Sequence, residues 1–267
     1  MSDPQPYELY AIRYAHHADW PVPVYFEQTS AEQRMDMDFF CWVAVGPDNT
    51  YFIDTGFNAA EASLRGHEFL RCPTETMRDL GLDTGNATDL ILTHLHYDHV
   101  GNLDKFPTAK LHLQEKELQF VTGRDMNIYN FRRVYQPDHL ELVLRALYDG
   151  RATLYDGDAE LTPGISIHWV GGHTRGLQVV RVLTERGWVG LASDAIHYYE
   201  ELERSVPWTN AVDVDDMLRA HDTLREIADS TEHIVAAHDP LVLRRYPAPV
   251  KELNGYAVRL DMASQET

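Results

Sequence analysis

The sequence predicts a layered α/β protein in which helices pack outside β-sheets. Three observations carry this. Short apolar runs of strand character recur along the 267 residues, several bounded by turn signals. Segments of helical period lie between them. With 44% hydrophobic and 10% aromatic residues, the chain can also bury a full core. Strands mixed with flanking helices are the pattern of helix-covered sheets.

In chain order, the strand candidates are "FFCWVAV" (39–45), "YFID" (51–54), "DLILTH" (89–94), "AKLHLQ" (109–114), "ISIHWV" (165–170), "LQVVRVL" (177–183), "WVGLASD" (188–194) and "HIVAAHD" (233–239). Turns such as "GPDN", "PG" and "ERG" separate them. The clearest helix spans 214–228, where Met217, Leu218, Leu224, Ile227 and Ala228 share a face and Asp213 is placed to cap. Segment 74–80 and parts of 114–149 also read as helix. Two stretches break the pattern: 16–37, which contains prolines, and 115–149, which contains "RDMNIYNFRRVYQPDH". Both read as inserts, either walls or lids of a substrate site or tolerated additions to the scaffold. With no repeat, linker or low-complexity tract, residues 1–267 form one expected domain.

Charge and cysteine content narrow the setting. A net charge of −19, from 42 acidic and 23 basic residues, would repel a phosphate backbone or an anionic membrane. No membrane partner and no nucleic acid are therefore expected. The N-terminus shows no basic region followed by an apolar run, so the expectation is a cytoplasmic protein. Cys41 sits in an apolar run and reads as core; neither it nor Cys72 has metal or redox spacing.

The chemistry concentrates where strands end. "THLHYDHVGN" places His94, His96, Asp98 and His99 directly after the apolar "LIL". Two imidazoles one residue apart on an extended chain point the same way, and a turn would return Asp98 and His99 to the same place. Such convergence is a poor packing device, because each polar ring needs a partner. A metal supplies those partners. His173, Asp194 and His238 share this context, each following an apolar run. If those strands are neighbours, their ends meet on one sheet edge. Imidazole and carboxylate suit zinc, and also manganese, iron or cobalt.

At these residues the chain resembles the metallo-β-lactamase superfamily, from about Phe39 to His238. "HLHYDH" matches its H-x-H-x-D-H signature, and His173, Asp194 and His238 follow in order. The resemblance implies an αββα sandwich of two mixed β-sheets flanked by helices, with two divalent metal ions between the sheet edges. Zn2+ is the first choice, with Mn2+, Fe2+ or Co2+ as alternatives. It implies that His94, His96 and His173 take one ion, that Asp98, His99 and His238 take the other, and that Asp194 bridges them. Asp54, in "IDTG", would support the site from behind.

Within the superfamily, "THLHYDHVGN", "GHTRG", "SDA" and "HDPLVLRRYPAP" look like the N-acyl homoserine lactonase group. That group implies a homodimer and the opening of a lactone by a metal-bridging hydroxide. Asp98 then carries a proton to the leaving oxygen. Two departures stand out. Where the group places a carbonyl-polarising Tyr, this chain has His197 followed by Tyr198, and either could take the role. Arg175 replaces the usual Pro after "GHT". It could hold a substrate carboxylate or simply be solvated. Trp20 and Phe131 are further candidates for substrate contact, and Phe26, Met37, Tyr129 and Trp208 could join them or pack the inserts. The substrate is thus an acyl-homoserine lactone, which would make the protein quorum quenching, or another lactone or ester.

Other functions fit less well. A thioesterase of glyoxalase II type would use the same ligands but adds a C-terminal helical domain with basic residues. A phosphodiesterase is disfavoured by the acidic balance, and a diiron redox relative by His96, where that family places a carboxylate. A non-catalytic, metal-stabilised binding protein predicts metal without turnover. Of the 14 histidines, those outside the motifs read as ordinary core or surface residues, among them His16, His17, His67, His112, His139, His168, His221 and His233.

Overall fold

The computed structural model describes residues 4–21 and 34–265. Its strands are β1 (Glu8–Pro21), β2 (Arg34–Val45), β3 (Thr50–Ile53), β4 (Glu68–Phe69), β5 (Asp89–Ile91), β6 (Lys110–Gln114), β7 (Ala152–Tyr155), β8 (Ala159–Thr162), β9 (Ile165–Trp169), β10 (Gln178–Thr184), β11 (Gly187–Leu191), β12 (Ile234–Val235) and β13 (Ala257–Arg259). One sheet has the order β13-β1-β2-β3-β5-β6-β7, with β4 added against β1; the other runs β12-β11-β10-β9-β8. Both are mixed. β3, β5, β6 and β7 are parallel, while β1 and β2 join them through antiparallel pairs. In the second sheet only the β11–β12 pair is parallel.

Parallel neighbours require crossovers. Helices Ala59–Arg65 and Pro73–Asp79 lie between β3 and β5, and Glu115–Val121 and Pro137–Tyr148 lie between β6 and β7. The result is the helix–sheet–sheet–helix stack that the resemblance implies. β2 shows how the sequence builds it. Phe40, Trp42 and Ala44 enter the core shared with the second sheet, whereas Phe39, Cys41 and Val43 enter the core shared with the crossover helices. Alternation thus sends successive side chains to two different cores. That is why "FFCWVAV" is apolar throughout.

One expectation is corrected. The sequence reading has no strand before residue 39 and treats 16–37 as an insert. In the structure, β1 and β2 are long antiparallel partners from Glu8↔Val45 to Pro21↔Arg34. Register shifts between Arg13 and Ala15, and between His17 and Trp20, break the strict alternation by which a strand is recognised. Residues 22–33, including Phe26, lie outside the described residues.

Asp213 caps helix Val214–Ile227 as expected, accepting from the Asp215 and Asp216 amides at 3.0 and 3.1 Å. Met217, Ala220, His221 and Leu224 are its buried face. The start of this helix abuts the loop that carries His173. Val212 and Asp213 amides donate to the Gly172 carbonyl, and a Cβ on Gly172 (φ +85°) would lie 2.6 Å from the Met217 nitrogen. Among the described residues, no helix is long and apolar enough to cross a membrane. Cys41 is buried, and both cysteines are free thiols.

Candidate metal centre

The strand ends converge as anticipated, although the strands stop earlier. His94, Asp194 and His238 each lie three residues past the ends of β5, β11 and β12. Those short loops fold the side chains inward. His96 caps the helix Tyr97–Val100, which returns Asp98 and His99 to the same point. The result is two overlapping groups whose ligand atoms lie within 4.8 Å of one another: His94, His96, His173 and Asp194; and Asp98, His99, Asp194 and His238.

Asp194 belongs to both groups and serves each with a different oxygen. Its Oδ2 lies 3.1 Å from His173 Nε2 and 3.7 Å from His94 Nε2. Its Oδ1 lies 3.1 Å from His99 Nε2 and 3.2 Å from His238 Nε2.

Partners behind the imidazoles set their direction. His99 Nδ1 donates to Asp54 Oδ2 at 2.7 Å, and His238 Nδ1 donates to the Asp38 carbonyl at 2.9 Å. With Nδ1 engaged, Nε2 faces inward in both rings. Asp54 also accepts from the Thr93 amide and hydroxyl at 2.8 and 2.7 Å, and Ser193 donates to the Thr93 hydroxyl at 2.7 Å. Asp54 (φ +59°) and Ser193 (φ +44°) are both in the left-handed region, a strained conformation for residues with side chains.

These residues fit divalent cations. His94 Nε2 is buried without a hydrogen-bond partner, a costly arrangement that a bound ion would relieve. Burial and neighbouring imidazoles hold His94 and His96 well below the usual histidine pKa, which leaves neutral nitrogen donors. Burial opposes charge on Asp194, but the surrounding imidazoles outweigh it and hold the carboxyl well below its usual range. Imidazole nitrogens grouped around an ionised carboxylate make a donor set for zinc and its neighbours.

Glu117 holds two of the loops together, and nothing local in the sequence signals it. The carboxylate is fully buried at the start of helix Glu115–Val121. Its Oε1 accepts from the Leu95 amide at 3.1 Å and the Tyr135 hydroxyl at 3.3 Å; Oε2 accepts from the Gly176 amide at 3.0 Å. It therefore ties the His94–His96 segment to the His173 loop. A Cβ on Gly176 would lie 2.1 Å from the Glu117 nitrogen, so only glycine permits the approach. Gln178 makes a second tie, donating through Nε2 to the Leu92 and His112 carbonyls.

Two adjoining recesses open over the centre. One, of about 320 Å³, reaches Asp98, Asp194, His197 and His238 and has Trp20, His67, Arg65 and Trp208 in its walls. The other, of about 210 Å³, is walled by Phe120, Phe131 and Val212. Both touch His96, His173 and Arg133. Trp20 lines the first recess and Phe131 the second. Arg175 lines neither: it sits in a neighbouring depression, where Asp125 holds it at 3.1 Å.

Of the two residues that could replace a polarising Tyr, His197 faces the centre. Its Nε2 lies 3.3 Å from Asp194 Oδ2, and its ring stacks on Trp208 with centroids 4.2 Å apart. The Tyr198 hydroxyl turns away and donates to the Asp36 carbonyl at 3.1 Å. His67, an ordinary residue by sequence, lines the recess and bonds the Tyr97 hydroxyl at 2.9 Å.

Comparison with known proteins identifies the family and the fold. The family model of the metallo-beta-lactamase superfamily matches residues 40–238. An N-acyl homoserine lactonase of Bacillus cereus is 24% identical over 217 residues, covering 75% of this chain and 80% of the relative. A crystal structure of a quorum-quenching N-acyl homoserine lactone lactonase superposes with a TM-score of 0.75 at 21% identity, over 90% of this chain and 95% of that one. AidC, a dizinc quorum-quenching lactonase in complex with a product, superposes with a TM-score of 0.68 at 16% identity, over 90% of each chain.

Proposed function

Because the chain belongs to the metallo-beta-lactamase superfamily, we propose that it is a dinuclear metal-dependent hydrolase that opens a lactone or another carboxylic ester. In this reading His94, His96 and His173 hold one ion, Asp98, His99 and His238 hold the other, and Asp194 is shared. Zinc is the first choice, as in the dizinc relative. The observation that carries the reading is the division of Asp194, whose two oxygens face two separate imidazole sets.

A pair of divalent ions there would supply an activated water at neutral pH and positive charge for the developing oxyanion. The chain's own residues do the rest. Trp208 stacks on His197, and Glu201 Oε1 accepts the His197 and Tyr198 amides at 2.9 and 3.0 Å, which fixes the imidazole at the edge of the recess. From there His197 polarises the substrate carbonyl in place of a tyrosine hydroxyl. Asp98, at the floor of the same recess, carries the proton to the departing oxygen. Trp20, Phe39 and Trp208 shield the scissile bond from water.

The test is a panel of lactones and esters assayed with metal-loaded protein, beside elemental analysis. Ring opening with close to two metal ions per chain is expected. Two bound ions without turnover of any panel member would defeat the hydrolase reading and leave a metal-stabilised binding protein.

A further inference from the structure

The two recesses meet at Arg133. Its side chain lines both, and its Nη2 reaches Asn210 Oδ1 at 3.5 Å, so this pair stands between them. Arg65 steadies the same residue from the other side, donating through Nη1 to the Arg133 carbonyl at 3.2 Å. The charge of Arg65 is already matched: its Nε meets Glu61 at 2.5 Å, and its guanidinium lies 3.6 Å from the centre of the Tyr97 ring. Among the described residues, Arg133 has no carboxylate partner. Two guanidinium groups therefore line the recess, and only that of Arg65 has a carboxylate paired with it.

The surrounding segment has the same sign. Residues 122–136 carry Arg124, Arg132 and Arg133 against Asp125 alone, in a chain of net charge −19. Asp125 is taken by Arg175. An acidic protein that places an unmatched guanidinium at the mouth of its recess has a local field that draws in anions.

We propose that Arg133, braced by Asn210 and Arg65, is an anion subsite, and that the preferred substrate is a lactone or ester bearing a carboxylate away from the scissile bond. This rests on the hydrolase reading above and names its substrate class. A guanidinium presents parallel N–H donors that match a carboxylate, which makes it more selective than a point charge. A single such group at a rim suits a carboxylate better than a phosphate dianion, which calls for more donors. The scissile carbonyl would sit over Asp194 and His197 while the remote carboxylate reaches Arg133.

The experiment compares γ-butyrolactones carrying a carboxylate on tethers of increasing length with the matching carboxamides, which have the same size without charge. For at least one tether, kcat/KM for the acid should exceed that for the amide by about tenfold or more. Arg133→Met should bring the acid-to-amide ratio to near one, while Arg175→Met, in the neighbouring depression, should preserve it. Calorimetry with the ring-opened hydroxy acids and their amides, on metal-loaded protein, should give the same ratios in affinity. Equal values for acid and amide at every tether would overturn the subsite. So would an acid preference that survives Arg133→Met, or one that Arg175→Met removes equally. If neither these lactones nor any member of the ester panel is turned over, the hydrolase reading falls, and the calorimetric ratio alone decides the subsite.

Discussion

His99 Nδ1 donates to Asp54 Oδ2 over 2.7 Å, and this bond turns His99 Nε2 toward Asp194. Asp54 lies at the end of β3 and His99 within the helix after β5, so two adjacent parallel strands together orient one imidazole. Asp54→Asn keeps an oxygen for the Thr93 amide but weakens the acceptor that fixes the His99 ring. Loss of such a partner typically lowers metal affinity about 10–100-fold. Competition with a graded series of chelators measures it, and wild-type affinity in Asp54→Asn would count against the orienting role.

Asp194 is expected to matter more than any single imidazole, because both groups use it. Asp194→Asn should reduce bound metal from two ions per chain to one or fewer, by elemental analysis, and abolish measurable ester hydrolysis. A variant that keeps both ions would mean that the two groups do not share the carboxylate.

Glu117 separates positioning from binding. Glu117→Ala leaves the Leu95 and Gly176 amides buried without their acceptor, at a cost of about 1–3 kcal/mol for each. Glu117→Gln retains an oxygen and should lose less. Urea unfolding gives the stability change, and hydrogen exchange at Leu95 and Gly176 shows whether the two loops loosen together. Unchanged protection at both amides in Glu117→Ala would refute the tie.

His197 offers a test of chemistry with metal binding intact. His197→Phe preserves a ring to stack on Trp208 but removes the donor, and kcat should fall about 10²–10³-fold if the imidazole stabilises the oxyanion. Metal content should not change. His197→Tyr places a hydroxyl in the same region and should recover part of the loss. Full activity in His197→Phe would return the role to another group.

Much of the centre was legible because its signals are local. "HLHYDH" needs only a strand end and one helical turn to gather four side chains. The apolar runs before His173, Asp194 and His238 mark the strands β9, β11 and β12 that deliver them. The β1 strand was not legible, since its bulges interrupt the period-two pattern and its partner lies across a long connection. Short strands such as β4, β7 and β8 carry too few residues for pattern to act, so pairing alone defines them.

The sequence by itself therefore determined the layered class, the buried β2 strand and the seven ligand-type residues, because spacing along one chain segment sets the direction of neighbouring side chains. Tertiary structure alone decided which arginine faces the recess, since Arg133 and Arg175 are equivalent until the helical excursion folds over the centre. It also decided that His197 points inward while Tyr198 points away, and that Glu117 anchors two loops far apart in sequence. Those outcomes depend on which buried donor meets which acceptor across the fold, and no local pattern encodes that meeting.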